Sequence, residues 1–446
     1  MHTKDIEALL AKANIAIGDR IKIEKENHLF EGVLLPQTEF GNPRALVIKL
    51  DSGYNIGIEV TPQTKITKVG RANENMIGKT SKKLLKLSFN PKNPPTSLVA
   101  TGGTIASRID YRTGGVYSVE DPREYLHNVP ELADVIRFKN IVTPYTKMSE
   151  DTDPQDWIDL ATAVHKELKT ESRGVIVTHG TDTLHYSAAA LSFFLRNIGK
   201  PVVLVGSQRS SDRGSSDAGL NLLCAAHVAL GPFAEVGTCM HGSSSDEYCL
   251  FIRGTKVRKM HTSRRDAFRP INSLPLAKIY PDGRIEHIRK IYSKRTDEPG
   301  TLDAVFEPKT ALVRVFPGAD PDILEYYRGK KYKGIVIEGS ALGHVPSFAR
   351  KPWIPAVKKL VKDGIPVVVS TQCIYGRVNP DVYTNLRLLY HGAGAIPAHD
   401  MHTETAFVKL GWVLGHTTDM DEIRKRMKEN VAGEYMRRTE LEAFLN

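Results

Sequence analysis

From Leu98 onward the chain repeats one pattern: a short uninterrupted apolar run, then a longer stretch in which apolar residues recur every three or four positions. LVATGG precedes a helical period near REYLHNVPELADVI, and IRFKNIVT precedes DWIDLATAVHKELK. GVIVTHG precedes TLHYSAAALSFFLRNI, and PVVLVGSQ precedes DAGLNLLCAAHVAL. Uninterrupted apolar runs fit strands buried on both faces. The alternation therefore predicts an α/β fold with a largely parallel sheet between layers of helices. GTCMHGSSSDEYCLFIRGTKVRKMHTS interrupts the pattern with small polar residues between apolar runs and predicts an antiparallel excursion. ALVRVFPG, GIVIEGSALGH, WIPAVKKLVKDG, PVVVSTQ and TAFVKLGWVLGH make a second, smaller alternating region. DEIRKRMKE and YMRRTELEAFL read as terminal helices whose charged sides face solvent.

The first 86 residues follow another rhythm. After a helical DIEALLAKA come GDRIKIEK, LFEGVLLPQ, RALVIKLDSGYNIGIEV and TKITKVG, short β-rich runs separated by turn residues. Asp-Ser-Gly between two apolar runs reads as a hairpin turn, and strands this short favour a small closed β-barrel, which has no exposed edges. LSFNPKNPPTS, with three prolines, opposes both helix and sheet interior and reads as a linker. The predicted division is an N-terminal β-barrel domain over 1–86, a linker over 87–97, a large α/β lobe over 98–305, and a smaller C-terminal α/β lobe with terminal helices over 306–446.

Composition narrows the class without naming a chemistry. The 446 residues are 41% hydrophobic and 25% charged, the proportions of a globular chain long enough for two or three domains. The amino terminus has acidic residues where a signal peptide has an apolar run, and no segment approaches the roughly 20 apolar residues that span a bilayer. A cytoplasmic protein is expected. Four cysteines without a CxxC pair argue against a disulfide framework or a thiolate zinc site. A formal charge of +10 permits contact with nucleic acid but also fits ordinary solvated faces.

Two loops change that picture. Thr101-Gly102-Gly103-Thr104 and Thr178-His179-Gly180-Thr181-Asp182-Thr183 each follow an apolar strand, and a parallel sheet would bring both to the same edge. A lone threonine is more often a turn or cap residue than a nucleophile, and Asp182 could simply cap the helix that follows. Lys259 is either a solvated member of the cluster Lys256, Arg258, Lys259 or the base a threonine hydroxyl requires. Spacing alone leaves both readings open.

LVATGGTIA and VIVTHGTDT are similar to the two signatures of the L-asparaginase family of threonine amidohydrolases, and KVRKMHTSRRDAF to its lysine region. The resemblance runs from about Leu98 to residue 420. It implies an asparaginase-type pair of α/β lobes. Thr104 would be the nucleophile on a side-chain amide, with Thr181, Asp182 and Lys259 as its acid/base partners. Ser149 and Glu150, in MSEDTDPQDW, would contact the substrate, although family members in the periplasm usually carry glutamine at the latter position. Asp182 would also orient the substrate's α-amine. The family's mobile lid tyrosine has Tyr117 as its candidate here, although IDYRTGGVYS can be aligned with Tyr117, with Tyr111 or with neither.

The β-rich front joined to this body resembles the D-subunit family of archaeal glutamyl-tRNA(Gln) amidotransferases. That resemblance implies release of ammonia from glutamine or, less favourably, asparagine. It also implies an E-subunit partner that uses ATP and Mg²⁺ to activate tRNA-bound glutamate, with glutamyl-tRNA(Gln) engaged mainly through the complex and a homodimer within a heterotetramer. No membrane partner is implied, and neither metal nor cofactor in this chain. His391, His399 and His402 read as structural or surface residues. GSALGHV and GSQRSSDRGSSDAG depart from phosphate-loop spacing. A free-standing cytoplasmic L-asparaginase is the alternative. A third reading, an RNA-binding scaffold with an inactive body, is opposed by the intact threonine, aspartate and lysine set and by the few aromatics of the front, Phe30, Phe40 and Tyr54.

Overall fold

A computed structural model describes residues 2–26, 28–36, 42–51, 55–71, 89–109, 116–118, 129–210 and 215–444, with 106–109 and 116–118 described by backbone only. The helix Lys4–Lys12 turns Ile6 inward, and five antiparallel strands follow: Asp19–Lys25, His28–Leu34, Ala45–Lys49, Asn55–Glu59 and Lys65–Arg71. Alternation sends Ile21 and Ile23, Leu46 and Ile48, and Ile58 to one face, where they form a small apolar core with Ile6, Ile15 and Leu34. The strand order has Asn55–Glu59 at one end and Lys65–Arg71 at the other. Among the described residues these two strands do not pair, so the sheet is open where the sequence predicts a closed barrel. The Lys65–Arg71 edge is mostly exposed and carries Lys65, Lys68 and Arg71, and charge of this kind protects an unpaired edge from further strand addition. The Asp-Ser-Gly turn lies largely outside the described residues, although the hairpin it joins is formed.

The centre of the molecule is an eight-stranded sheet. Its parallel part runs Val236–His241, Val202–Val205, Val175–Thr178, Pro95–Ala100, Arg137–Val142. Antiparallel strands Cys249–Arg253, Ala277–Ile279 and Ile285–His287 extend one side and are the excursion expected after GTCMHG. The Pro95–Ala100 strand starts three residues before Leu98, inside the stretch read as linker. Proline is tolerated at the first position of a strand, and the small Ser97 is buried with its hydroxyl bonded to Glu167 and Ser172. The helix Pro154–Leu168 begins with a reciprocal capping box. Asp153 accepts from the amides of Gln155 and Asp156, Asp156 accepts from the amide of Asp153, and Pro154 sits where no amide is needed. Of the helix expected around 123–136, Leu132–Val135 is present and 123–128 lies outside the described residues.

The smaller lobe is a parallel sheet of Thr310–Arg314, Gly334–Gly339, Val367–Thr371 and Ile396–Pro397. Its apolar runs are divided by strand alternation. Ile335, Ile337, Val367 and Val369 pack with Trp353, Val357 and Leu360 of the helix Trp353–Lys362, whereas Val336, Val368 and Ile396 join the core of the large lobe. The helix Thr403–Leu414, buried on almost every face, lies in that shared core and packs against the helix Leu184–Phe194. Of the two terminal helices expected, Met420–Lys428 is formed, but YMRRTELEAFL is not helical beyond the short turn Leu441–Ala443. Its backbone bonds elsewhere: the Met436 amide donates to Asp400, and Arg377 donates to the carbonyls of Met436 and Arg437. Tertiary partners override the local helical period here.

Candidate active site

The two threonine loops leave neighbouring parallel strands in register, with Ala100 opposite Thr178. Thr101 donates through both its amide and its hydroxyl to the Thr178 carbonyl, at 3.1 and 2.9 Å. Gly102 and Gly103 then take φ of +99° and +79°, a region glycine enters without a Cβ clash. Space demands glycine as well. A Cβ on Gly102 would lie 2.6 Å from the Lys147 carbonyl oxygen, and one on Gly103 would overlap the backbone of Gly180. A Cβ on Gly180 would in turn lie 2.7 Å from Ser149 Oγ. The glycines therefore let three backbones meet, and Thr104, Thr181 and Ser149 are brought to one place at the carboxyl edge of the sheet. Lys147 fastens the third segment: its amide donates to the Thr101 carbonyl, and its ammonium grips Asp156 at the start of the Pro154–Leu168 helix at 2.8 Å.

Thr104 is half-buried at the start of a 3₁₀ turn, Thr104–Ala106, with Ile105 buried behind it. Thr181 is almost fully buried. Lys259, from the short strand Val257–Lys259, donates to Thr181 Oγ1 at 2.9 Å and to Asp182 Oδ1 at 2.6 Å. Asp182 is open to solvent, with 62% side-chain exposure against 11% for Lys259. The cation thus reaches from the protein interior to one hydroxyl and one solvent-facing carboxylate. Ser149 Oγ accepts from the amides of Asp182 and Thr183 at 3.2 and 3.4 Å, and the Ser149 carbonyl accepts from the Thr183 hydroxyl at 2.6 Å. These bonds use the backbone donors at the start of the Leu184–Phe194 helix and hold Asp182 in place.

Below the loop, His179 is buried and its pKa is lowered, chiefly by desolvation, so it is neutral near pH 7. Its Nδ1–H donates to the Gly180 carbonyl at 2.7 Å and its Nε2 accepts from Ser187 Oγ at 2.9 Å, which fixes the loop between Gly180 and Thr181. Glu150 is exposed on the 3₁₀ turn Ser149–Asp151. Tyr117 lies on the strand Val116–Ser118, opposite Arg108 of Ser107–Ile109, and the placement of its side chain is outside the described residues, as is Tyr111. The three clustered histidines have protein partners. His391 contacts Asp381 at 2.8 Å, His399 meets Tyr435 edge to face, and His402 is bonded to Glu404 and Thr405.

In the sequence, Lys256 and Arg258 read as equals of Lys259 in a solvated cluster. They are not. Lys256 is buried against Asp400 at 2.8 Å, and Arg258 donates to buried Glu404 at 2.8 Å. The signal that distinguishes them is strand alternation through KVRK, which directs adjacent basic side chains to different faces.

Comparison with known proteins now bears on this geometry. Residues 96–292 match the family model for the asparaginase N-terminal domain, 309–427 that for the glutaminase/asparaginase C-terminal domain, and 15–69 that for the GatD N-terminal domain. The D subunit of the glutamyl-tRNA(Gln) amidotransferase from Pyrococcus abyssi is 47% identical over 99% of both chains. The chain belongs to the family of glutamyl-tRNA(Gln) amidotransferase D subunits. A family member from Sulfolobus acidocaldarius is 43% identical over 95% of this chain and 93% of its own. Among solved structures, the thermostable L-asparaginase from Thermococcus kodakarensis superposes with a TM-score of 0.69 at 31% identity, covering 77% of this chain and 99% of its own. L-asparaginase I from Vibrio cholerae gives 0.66 at 27%, with the same coverage. The asparaginase-type α/β architecture expected from the two threonine signatures is thus the fold of this family member.

Proposed function

We propose that this chain hydrolyses the side-chain amide of glutamine and supplies the ammonia with which a partner E subunit, using ATP and Mg²⁺, converts glutamyl-tRNA(Gln) to glutaminyl-tRNA(Gln). The observation that carries the hydrolytic part is the Lys259 ammonium position, 2.9 Å from Thr181 Oγ1 and 2.6 Å from Asp182 Oδ1, beside the glycine contact that seats Thr104. A threonine hydroxyl is a weak nucleophile until a neighbouring base removes its proton. In its neutral form Lys259 is such a base, and Thr181 and Asp182 are within reach to relay and hold the proton.

Thr104 Oγ attacks the amide carbonyl, the C–N bond breaks as the leaving nitrogen takes a proton, and ammonia departs from an acyl-threonine. Water then attacks the ester carbon and returns Thr104. Asp182 is the group for the substrate α-amine in this reading, with Ser149 and Glu150 as further substrate contacts. The N-terminal sheet and the full-length likeness to D subunits favour transfer to tRNA over a free-standing cytoplasmic asparaginase. Free ammonia is mostly protonated near neutral pH and then lacks the lone pair for attack, so delivery within a complex is the effective arrangement. The working assembly is a cytoplasmic homodimer bound to two E subunits.

The decisive measurement uses glutamine labelled at the amide nitrogen. The isolated chain should hydrolyse it slowly, and addition of the E subunit with glutamyl-tRNA(Gln) and ATP should raise turnover at least tenfold and place the label in glutaminyl-tRNA. Tenfold corresponds to only about 1.4 kcal/mol of coupling in the transition state. Full turnover by the isolated chain with no label transferred would replace this reading with the free-standing asparaginase.

A further inference from the structure

The strand that carries Lys259 is held partly from the other lobe. Val257–Lys259 is three residues long and, among the described residues, pairs as a strand only with Phe268–Pro270, outside the main sheet. Two hydrogen-bonded strands of three residues fix little by themselves. The Lys256 carbonyl accepts from the Ile271 amide, and the side chains before Lys259 are held from the C-terminal part of the chain as well. Thr255 donates its hydroxyl to the Ala432 carbonyl at 3.1 Å, and its carbonyl accepts from Thr405 Oγ1 at 3.0 Å. Lys256 is sealed against Asp400, both side chains 1% exposed. Val257 is buried in the large-lobe core.

Arg258 donates Nε to Glu404 Oε1 at 2.8 Å, and the other carboxylate oxygen of Glu404 contacts His402 Nδ1 at 2.9 Å. Glu404 stands in the first turn of the helix Thr403–Leu414, where the helix dipole favours a carboxylate. Lys259 alone in this series points into the site.

We propose that Glu404, acting through Arg258, is a positioning residue for Lys259. The proposal rests on the reading of Lys259 as the base. Adjacent strand residues project to opposite faces, so an anchor on Arg258 sets the orientation of the backbone from which Lys259 extends. Cohesion of the lobes does not require the ion pair, because Val336, Val368 and Ile396 already share the apolar core of the large lobe. Glu404 is buried while Arg258 is half-buried, and removing one partner leaves the buried charge uncompensated. Burial acts to raise the Glu404 pKa, but the His402 hydrogen bond and the neighbouring basic groups His402, His185 and Arg258 outweigh it and keep the group well below the usual carboxylate range. Its anchor is therefore charged wherever the protein is active. Displacing a catalytic group by about 1 Å costs on the order of a hundredfold in rate.

The test is a double-mutant cycle read in glutamine turnover by the full chain with its partner. Glu404→Gln keeps the shape of the side chain and removes its charge. It should lower kcat tenfold or more with KM within twofold of wild type, and the thermal unfolding midpoint should not account for the loss. Arg258→Met removes the other half of the pair and should reproduce the effect, so a folding failure of one variant leaves the other to decide. In a Lys259→Met background, Glu404→Gln should add less than a twofold further loss, because its effect passes through the missing lysine. Additive losses would make Glu404 a structural residue and overturn the proposal. So would an unchanged kcat in both single variants when Lys259→Met is inactive. If Lys259→Met itself turns over normally, the reading of the base fails first and the positioning role fails with it.

Discussion

Asp182 and Lys259 form an ion pair whose carboxylate is largely in water, and exposed pairs of this kind contribute little to stability. Thr104 is half-buried beside them without being part of the main core. Loss of Thr104, Asp182 or Lys259 should therefore cost little in folding, which lets the proposed chemistry be tested on folded variants. Thr104→Val, nearly the same shape but without Oγ, should unfold at the wild-type midpoint and lose turnover by roughly a thousandfold or more, as expected when an essential nucleophile is removed. Ammonia release measured on the purified variant decides the matter, and turnover near wild type in a folded protein removes Thr104 from the role. At this scale the sequence was most informative. TGGT and THGTDT stand out because each sets glycine between hydroxyl residues at a strand end, and that pattern survives without coordinates. Arg258 and Glu404 were not legible because they meet across 146 positions, and no local pattern joins them.

At the scale of elements, the glycines of the first loop serve two purposes that one experiment separates. Gly103 and Gly364 share φ of +79°, but a Cβ on Gly103 would overlap the Gly180 backbone, whereas one on Gly364 would meet nothing within 4 Å. Gly364→Ala should therefore show only the backbone penalty of about 1 kcal/mol. Gly103→Ala should lose clearly more stability in denaturant unfolding, and glutamine turnover with it. Equal losses for the two would mean that the threonine loops do not depend on that contact. Strands and helices of the body were readable because the parallel sheet is buried on both faces and writes itself as apolar runs. Two expectations failed for a shared reason. The YMRRTELEAFL segment gives its backbone bonds to Asp400 and Arg377, and among the described residues the β-rich front lacks the pairing of Asn55–Glu59 with Lys65–Arg71 that would close it, which local alternation does not encode.

On the scale of the whole molecule, the seam between the lobes carries buried ionisable groups, and these make stability depend on pH. Burial lowers the pKa of His185 from 6.5 to about 3, against the opposing charge of Glu404 and with His402, Arg258 and Lys259 nearby. The folded protein therefore holds His185 neutral and the unfolded chain binds the proton more readily. Its contribution is fully present above pH 6.5 and is lost as the pH falls toward 3, by up to about 1.4 kcal/mol per pH unit. Glu404, also lowered, adds loss in the same direction only below its ordinary value of 4.5. Between pH 6.5 and 4.5 His185 contributes to the slope alongside the other histidines whose pKa burial lowers, His179 and His399 among them. A His185→Gln variant should show a shallower fall in unfolding free energy over that interval than the wild type, and parallel curves would exclude the residue as a source of it. Among the described residues no helix is long and apolar enough to cross a membrane.

The link between Lys256 and Asp400 spans 144 positions, and the order in which a ribosome makes the chain gives that distance a meaning in time. Thr104, Thr181 and Lys259 are all joined to the growing chain before Asp400, Glu404 or Thr405 has been added. At about 5–20 residues per second, the lysine waits on the order of ten seconds for the carboxylates that hold its strand. Its anchorage belongs to the late stage of synthesis, absent from every growing chain too short to include Asp400.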